Sequence, residues 1–145
     1  MKISTKGRYA ARAMVEIAAS YDVRNVPASE ISNKQGISLK YLEALLANLK
    51  SVGLIISERG KHGGYSLARP PSEINMYEVL SCLEDSLDIV HCINDPNRCP
   101  RLDVCVTRNV WAELKTATER ILKRTYLDDL LKRRKILEAR QAEEG

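Results

Sequence analysis

Three of the four cysteines in this 145-residue chain fall in one polar stretch, running from His91-Cys92 through Cys99 to Cys105. Six residues separate Cys92 from Cys99 and five separate Cys99 from Cys105, with Pro96 and Pro100 among them and little apolar periodicity. The stretch therefore reads as a loop, and a loop of this length usually has a function. Clustered thiols can form disulfides, ligate a metal or cluster, or sense redox state. Three in one loop cannot all pair within a chain. In a reducing compartment such cysteines are more often metal ligands or redox centres than staples. Cys82 lies ten residues upstream within a core-like apolar pattern, Met76, Val79, Leu80 and Leu83, and is read as a packing residue.

The elements around the loop set its context. No run approaches a membrane span, and Met1 is followed by Lys2, Ser4, Thr5, Lys6 and Arg8 without the apolar region of a secretory signal, so the expected compartment is the cytoplasm. Charge is uneven. Residues 1–70 hold 11 Lys and Arg against 5 Asp and Glu, whereas residues 71–145 hold 12 against 14, which makes the first half the candidate for a polyanion. Apolar side chains at Tyr9, Ala10, Ala13, Met14, Ile17 and Ala18 predict an amphipathic helix from about Arg8 to Tyr21, with Arg8, Arg12 and Glu16 on its other faces. Pro27 suits the start of a short helix that stops at Gly36. Ser38 then caps a third helix whose leucine stripe is Leu39, Leu42, Leu45, Leu46 and Leu49. Helix, short helix, turn, helix is the layout of a helix-turn-helix. Lys40, Ala44, Ala47 and Asn48 point away from the stripe, with Tyr41 to one side and Glu43 on the opposite flank. Two β-prone runs, Leu54–Ser57 and Tyr65–Leu67, flank Gly60-Lys-His-Gly-Gly64 and predict a basic hairpin wing carrying Arg59, Lys61 and His62.

Arg69-Pro-Pro-Ser72 reads as a stiff linker, followed by a short helix capped by Asn75 or Ser72. After the cysteine loop, Val110, Leu114, Ala117 and Ile121 form a helical stripe with no partner left in the chain, which predicts a homodimer along this helix. A shorter helix follows, with Asp128 expected to answer a Thr125 cap, Leu127, Leu130 and Leu131 on its apolar side, and Glu138–Gly145 expected to fray. The fold class expected is mainly α with a small β-hairpin wing: a winged helix-turn-helix over 1–70, then the cysteine loop (about 91–105) and dimerisation helices over 71–145. There is no phosphate-binding glycine loop after a strand, no nucleophile and base pair, and no second cluster motif, so an enzyme or electron carrier finds no support.

Lys2-Ile-Ser-Thr-Lys-Gly-Arg-Tyr-Ala10, Ile37-Ser-Leu-Lys-Tyr-Leu-Glu43 and Arg59-Gly-Lys-His-Gly-Gly-Tyr-Ser-Leu67 together resemble the Rrf family of winged-helix transcription regulators, from residue 1 to about 131. The resemblance implies a homodimer on partly palindromic double-stranded DNA operators. Cys92, Cys99 and Cys105, followed by Val106-Thr-Arg-Asn-Val-Trp111, look most like the IscR-type members, which carry a [2Fe-2S] cluster. Thiolates are the usual ligands of such clusters, and wide spacing wraps a cluster better than the tight pairs of structural zinc. The likeness implies control of operator binding by cluster status, with iron–sulfur assembly genes as the expected targets. An NsrR-like nitric-oxide-sensing repressor with a [4Fe-4S] cluster, and a CymR-like repressor without one, remain the alternatives.

One ligand is missing from three cysteines. The position where IscR-type relatives place a histidine is Arg108, and the N-terminal acidic position of NsrR-type relatives corresponds to Arg8, with Arg12 one turn on. Arginine cannot ligate. Glu43 is the preferred fourth ligand, as in some regulators resembling this one, with His91 or a solvent or small-molecule ligand as the other candidates. Phosphate positioning is assigned to Lys2, Ser38 and the wing turn, Gly60 and Gly63 included. Lys61 belongs to that turn; base or groove contacts are assigned to Lys40, Tyr41, Ser57, Arg59 and His62.

Overall fold

Residues 2–145 are described by a computed structural model. Its helices are α1 (Thr5–Ala19), α2 (Ala28–Gln35), α3 (Leu39–Ser51), α4 (Met76–Ser81), α5 (Arg108–Arg124) and α6 (Leu127–Glu144), and its strands are β1 (Ile55–Glu58) and β2 (Gly64–Leu67). This is the mainly α architecture with a hairpin wing. No helix among the described residues is long and apolar enough to cross a membrane.

α1 begins at Thr5, three residues before the expected Arg8, because Ser4 caps it: the hydroxyl oxygen accepts the Gly7 amide at 3.0 Å. It ends at Ala19, two residues earlier than expected, in a turn where the Ser20 and Tyr21 amides reach the Ile17 and Ala18 carbonyls. The helix is central. Ala10, Ala13, Met14 and Ile17 are fully buried, and so, at 6% exposure, is Glu16, which the periodicity places on a polar face. Its carboxylate is satisfied by Gln35 Nε2 at 2.7 Å, Arg134 at 3.2 Å and Lys34 at 3.8 Å.

α2 stops at Gly36 in the left-handed conformation (φ +64°), and Ser38 caps α3 by accepting the Tyr41 amide at 3.3 Å. Leu42, Leu45, Leu46 and Leu49 are buried against α1 and α2 as the stripe requires. Leu39 is not: at 43% exposure it sits at the first helical position, where the side chain leans back past the end of the core. The hairpin pairs antiparallel from Ile55↔Leu67 to Glu58↔Gly64. Val26 adds a rung through reciprocal 2.8 Å bonds with Tyr65.

The core continues past the proline linker. Ile74, Met76, Val79, Leu80, Leu83 and Leu127 join the same buried cluster as the leucines of α3 and the apolar face of α1. Asn75 and Glu78 form a reciprocal capping box on α4, and Arg69 locks the linker onto it through Glu78 at 2.6 Å and the Glu73 carbonyl at 3.1 Å.

α6 departs furthest from expectation. Its N-cap is Tyr126, whose amide donates to Asp129 at 2.8 Å, so the Thr125–Asp128 pairing is one residue out of register. Nor does the helix fray after Leu137; it runs to Glu144 and, at 18 residues, is longer than α5. Lys132–Asp128 and Arg134–Glu138 ion pairs, each spanning one helical turn, support it. The ion pair between Arg134 and buried Glu16 ties it to α1. The basic run Lys132–Lys135 thus supplies a packing contact as well as a solvated face.

Candidate nucleic-acid interface and metal centre

The residues expected to meet DNA are carried by three neighbouring parts of the first seventy residues. Lys2 is exposed ahead of α1; Ser38, Lys40, Tyr41 and Glu43 are exposed on the first turns of α3; Ser57, Arg59, Gly60, Lys61 and His62 are exposed on β1 and the wing tip. Tyr41 packs edge-on against Tyr9, ring centroids 6.0 Å apart, and Arg12 lies 5.4 Å from the Tyr9 centroid. Arg12 is held there by Gln35, through its side-chain oxygen at 2.7 Å and its carbonyl at 2.6 Å. These contacts fix how α3 is presented.

The wing is set by the loop between α1 and α2. Asn25 donates to the Glu58 carboxylate and the His62 carbonyl, both at 3.1 Å, and the Val26–Tyr65 rung lies beside it. Arg24 grips Glu30 with two bonds of 2.7 and 2.6 Å, and this pairing holds the Glu30 carboxyl down at about 2. Two glycines make the close approach possible. A Cβ at Gly63 would lie 2.5 Å from the Glu58 carbonyl oxygen, and one at Gly64 (φ +142°) would lie 2.6 Å from the Val26 carbonyl. Gly64→Ala should therefore cost about 1–3 kcal/mol in chemical denaturation and weaken DNA binding by displacing the wing. Unchanged stability would mean that the rung adjusts freely.

The cysteine stretch is a loop, but a structured one. Three successive 3-10 turns, His91–Ile93, Pro96–Arg98 and Leu102–Val104, each deliver one thiol: Cys92 within the first, Cys99 directly after the second and Cys105 directly after the third. Asp95 caps the middle turn by accepting the Asn97 amide at 3.1 Å, with Pro96 pre-set for its first position. All four cysteines are unpaired and partly buried. Cys105 precedes α5, where the Thr107 hydroxyl 3.4 Å from the sulfur, then the Thr107 and Arg108 amides and the Arg101 charge, hold its thiol below the ordinary range. Cys82 behaves oppositely. It ends α4, bonds the Val79 carbonyl at 3.2 Å, and burial pushes its thiol up.

Among the described residues no three His, Cys, Asp or Glu side chains converge on a point suited to one metal ion, so Glu43, His91 and the three loop cysteines are not gathered into one ligand set within the chain. The donor chemistry nevertheless suits an iron–sulfur cluster, whose irons take thiolates at separated positions. Arg108, three residues beyond Cys105, has a buried Nε without a hydrogen-bond partner, a cation suited to an anionic neighbour.

α5 has no buried residue. Val110, Leu114 and Ile121 are 50, 43 and 50% exposed on one face, alongside half-buried Ala117. The periodicity located this face; the anchor at its other side was not legible. Lys115 bonds Asp88 at 3.2 Å and Asn94, which itself donates to Asp88. The partners are 27 and 21 residues from Lys115, so no local signal could have found them.

The family described as Rrf2, iron-dependent transcriptional regulator, matches residues 3–133. The chain is similar to the HTH-type transcriptional regulator IscR of Klebsiella pneumoniae, with 37% identity over 138 residues, covering 95% of this chain and 84% of that protein. Among solved structures it is similar to T. potens IscR (37% identity, TM-score 0.75, 91% of this chain and 87% of that one). It is also similar to CymR, the global cysteine regulator of B. subtilis (31% identity, TM-score 0.77, 91% and 97%).

Proposed function

The chain belongs to the Rrf2 family of transcriptional regulators, and from that premise we propose that it is a homodimeric DNA-binding regulator whose operator affinity is set by a [2Fe-2S] cluster in the 91–105 loop. The observation that carries this reading is the delivery of three unpaired thiols by three consecutive turns of one loop, placed between the winged helix-turn-helix and the exposed apolar face of α5. Residues 1–70 serve as the DNA-binding unit and residues 71–145 as the sensing and dimerisation unit, the two sharing one core. When bound, the cluster supplies an iron- and redox-sensitive centre whose presence reports cluster supply.

The chain's own residues do the rest. Cys92, Cys99 and Cys105 hold the cluster as thiolates, Cys105 predisposed by Thr107 and the start of α5. Glu43 is the proposed fourth ligand, its carboxylate exposed on the flank of α3, with His91 or solvent as competing donors. Ligation would offset the negative charge of Glu43 on α3, and a free carboxylate would leave that charge on the flank of the DNA-facing helix. Lys2, Ser38, Gly60, Lys61 and Gly63 position phosphates, and Lys40, Tyr41, Ser57, Arg59 and His62 meet the grooves. The Val110, Leu114 and Ile121 face of α5 pairs the subunits, matching two half-sites of a palindrome.

The CymR likeness favours a second reading, in which the cysteines are idle and another signal sets DNA affinity. Purification without oxygen separates the two. A coloured protein containing iron and sulfide should bind a duplex, selected by the protein from a random-sequence library, at least about fivefold differently before and after cluster removal at one salt concentration. A colourless, iron-free product with unchanged DNA binding would establish the second reading, and a four-iron spectrum would replace [2Fe-2S] with [4Fe-4S].

A further inference from the structure

The segment entering the cysteine loop is anchored at two points that belong to different functional parts. At its start, just past α4, the Glu84 carboxylate accepts both the Ser4 amide at 2.9 Å and the Ser4 hydroxyl at 2.7 Å. Ser4 is the cap of α1, and the exposed Lys2 lies two residues before it. The approach is close enough that a Cβ on Gly7 would collide with Glu84 Oε1 and sit 3.2 Å from Leu80. Four and ten residues later the same segment is fastened to α5. Lys115, only 23% exposed, bonds Asp88 (16% exposed) at 3.2 Å and Asn94, while Ser86 braces Asp88 at 2.9 Å. Cys92 lies between Asp88 and Asn94, inside this second anchor.

We infer that Glu84 and Lys115 are positioning residues that make residues 84–94 a tether between the sensing loop and the N-terminal arm. Lys115 holds the Cys92 end of the tether to α5, and Glu84 carries the position of that end to the Ser4 cap, and so to Lys2 and the start of α1. The Ser4–Glu84 and Lys115–Asp88 contacts are partly buried, so water competes less for them than for the exposed bonds of Asn94 and Ser86. This inference rests on the reading that the loop holds a cluster and the first half binds DNA, but the tether itself can be measured without either.

The test uses the full-length protein, purified without oxygen, and compares the wild type with Glu84→Ala, Glu84→Gln, Gly7→Ala and Lys115→Met by amide hydrogen exchange. Glu84→Ala should raise exchange at residues 3–8 about tenfold, while Glu84→Gln, whose amide oxygen still accepts from Ser4, should stay within about twofold of wild type. Gly7→Ala should reproduce Glu84→Ala, and the double variant should add nothing further, because both remove one contact. The decisive variant is Lys115→Met. It should raise exchange at residues 3–8 although it touches none of them, leave the α3 amides unchanged, and lower affinity for the selected duplex about fivefold. If Lys115→Met left residues 3–8 at the wild-type rate, the tether would be overturned, with or without a cluster. If the wild type held no cluster yet showed this response, the proposed sensing function would fall and the tether would stand.

Discussion

Cys99→Ser is expected to yield a folded, colourless protein with little or no iron or sulfide. The substitution is nearly isosteric, and Cys99 follows a 3-10 turn whose cap, Asp95, is untouched, so helix content should not change. What changes is the donor: a serine hydroxyl does not ionise near neutral pH, and iron in such clusters favours thiolate. Cys92→Ser and Cys105→Ser should behave alike. Cys82→Ser is the internal control. Its thiol points to the Val79 carbonyl from within a half-buried site, and serine should keep that bond and the wild-type spectrum. Absorbance and iron analysis under anaerobic conditions read the result. Glu43→Ala belongs in the same series: it should leave the protein coloured but shorten the lifetime of the colour, since an oxygen donor is the weakest bond of the set. A coloured Cys99→Ser protein would remove the loop from the sensing function.

The second large effect is expected on α5. Replacing Leu114 with aspartate places a charge in the middle of the Val110–Leu114–Ile121 face, three apolar side chains about half-exposed in the single chain. Burying that charge against a second copy would cost several kcal/mol, so the dimer should dissociate to monomers by sedimentation velocity. The winged helix-turn-helix core contains no α5 residue among its fully buried side chains and should stay folded. Affinity for a palindromic duplex should then fall by about a hundredfold or more, because each half-site must be bound alone. A dimer that survives Leu114→Asp with full affinity would place the interface elsewhere.

How much of this was legible depended on the range of the interaction concerned. The Gly36 stop, the Ser38 cap, the α3 leucines and the wing glycines are local signals, each read within a turn or a hairpin. The Ser4 cap was local too, but it precedes the apolar pattern and was passed over. Tyr126 rather than Thr125 begins α6 because the Tyr126 amide meets Asp129, a register that local spacing leaves undecided by one residue. The persistence of α6 to Glu144 and the burial of Glu16 are one fact seen from two helices, since each supplies the other's charge partner across more than a hundred residues of chain.

The loop thiols show the same division. Residue type and spacing alone determined that three cysteines share a loop, that a winged helix-turn-helix precedes it and that a helix with an exposed apolar face follows. Those properties are carried by periodicity, turn chemistry and thiol count, which act over a few residues. The packing of that helix on α4 and of Leu122 on the core, in a chain expected to hold no partner for it, came from the tertiary structure. Only the tertiary structure decided that Glu84 reaches Ser4 while Lys115 reaches Asp88 and Asn94. The physical reason is that a hydrogen bond or ion pair between residues distant in sequence exists only where the packed core has already brought their helices together, and no local pattern records that distance.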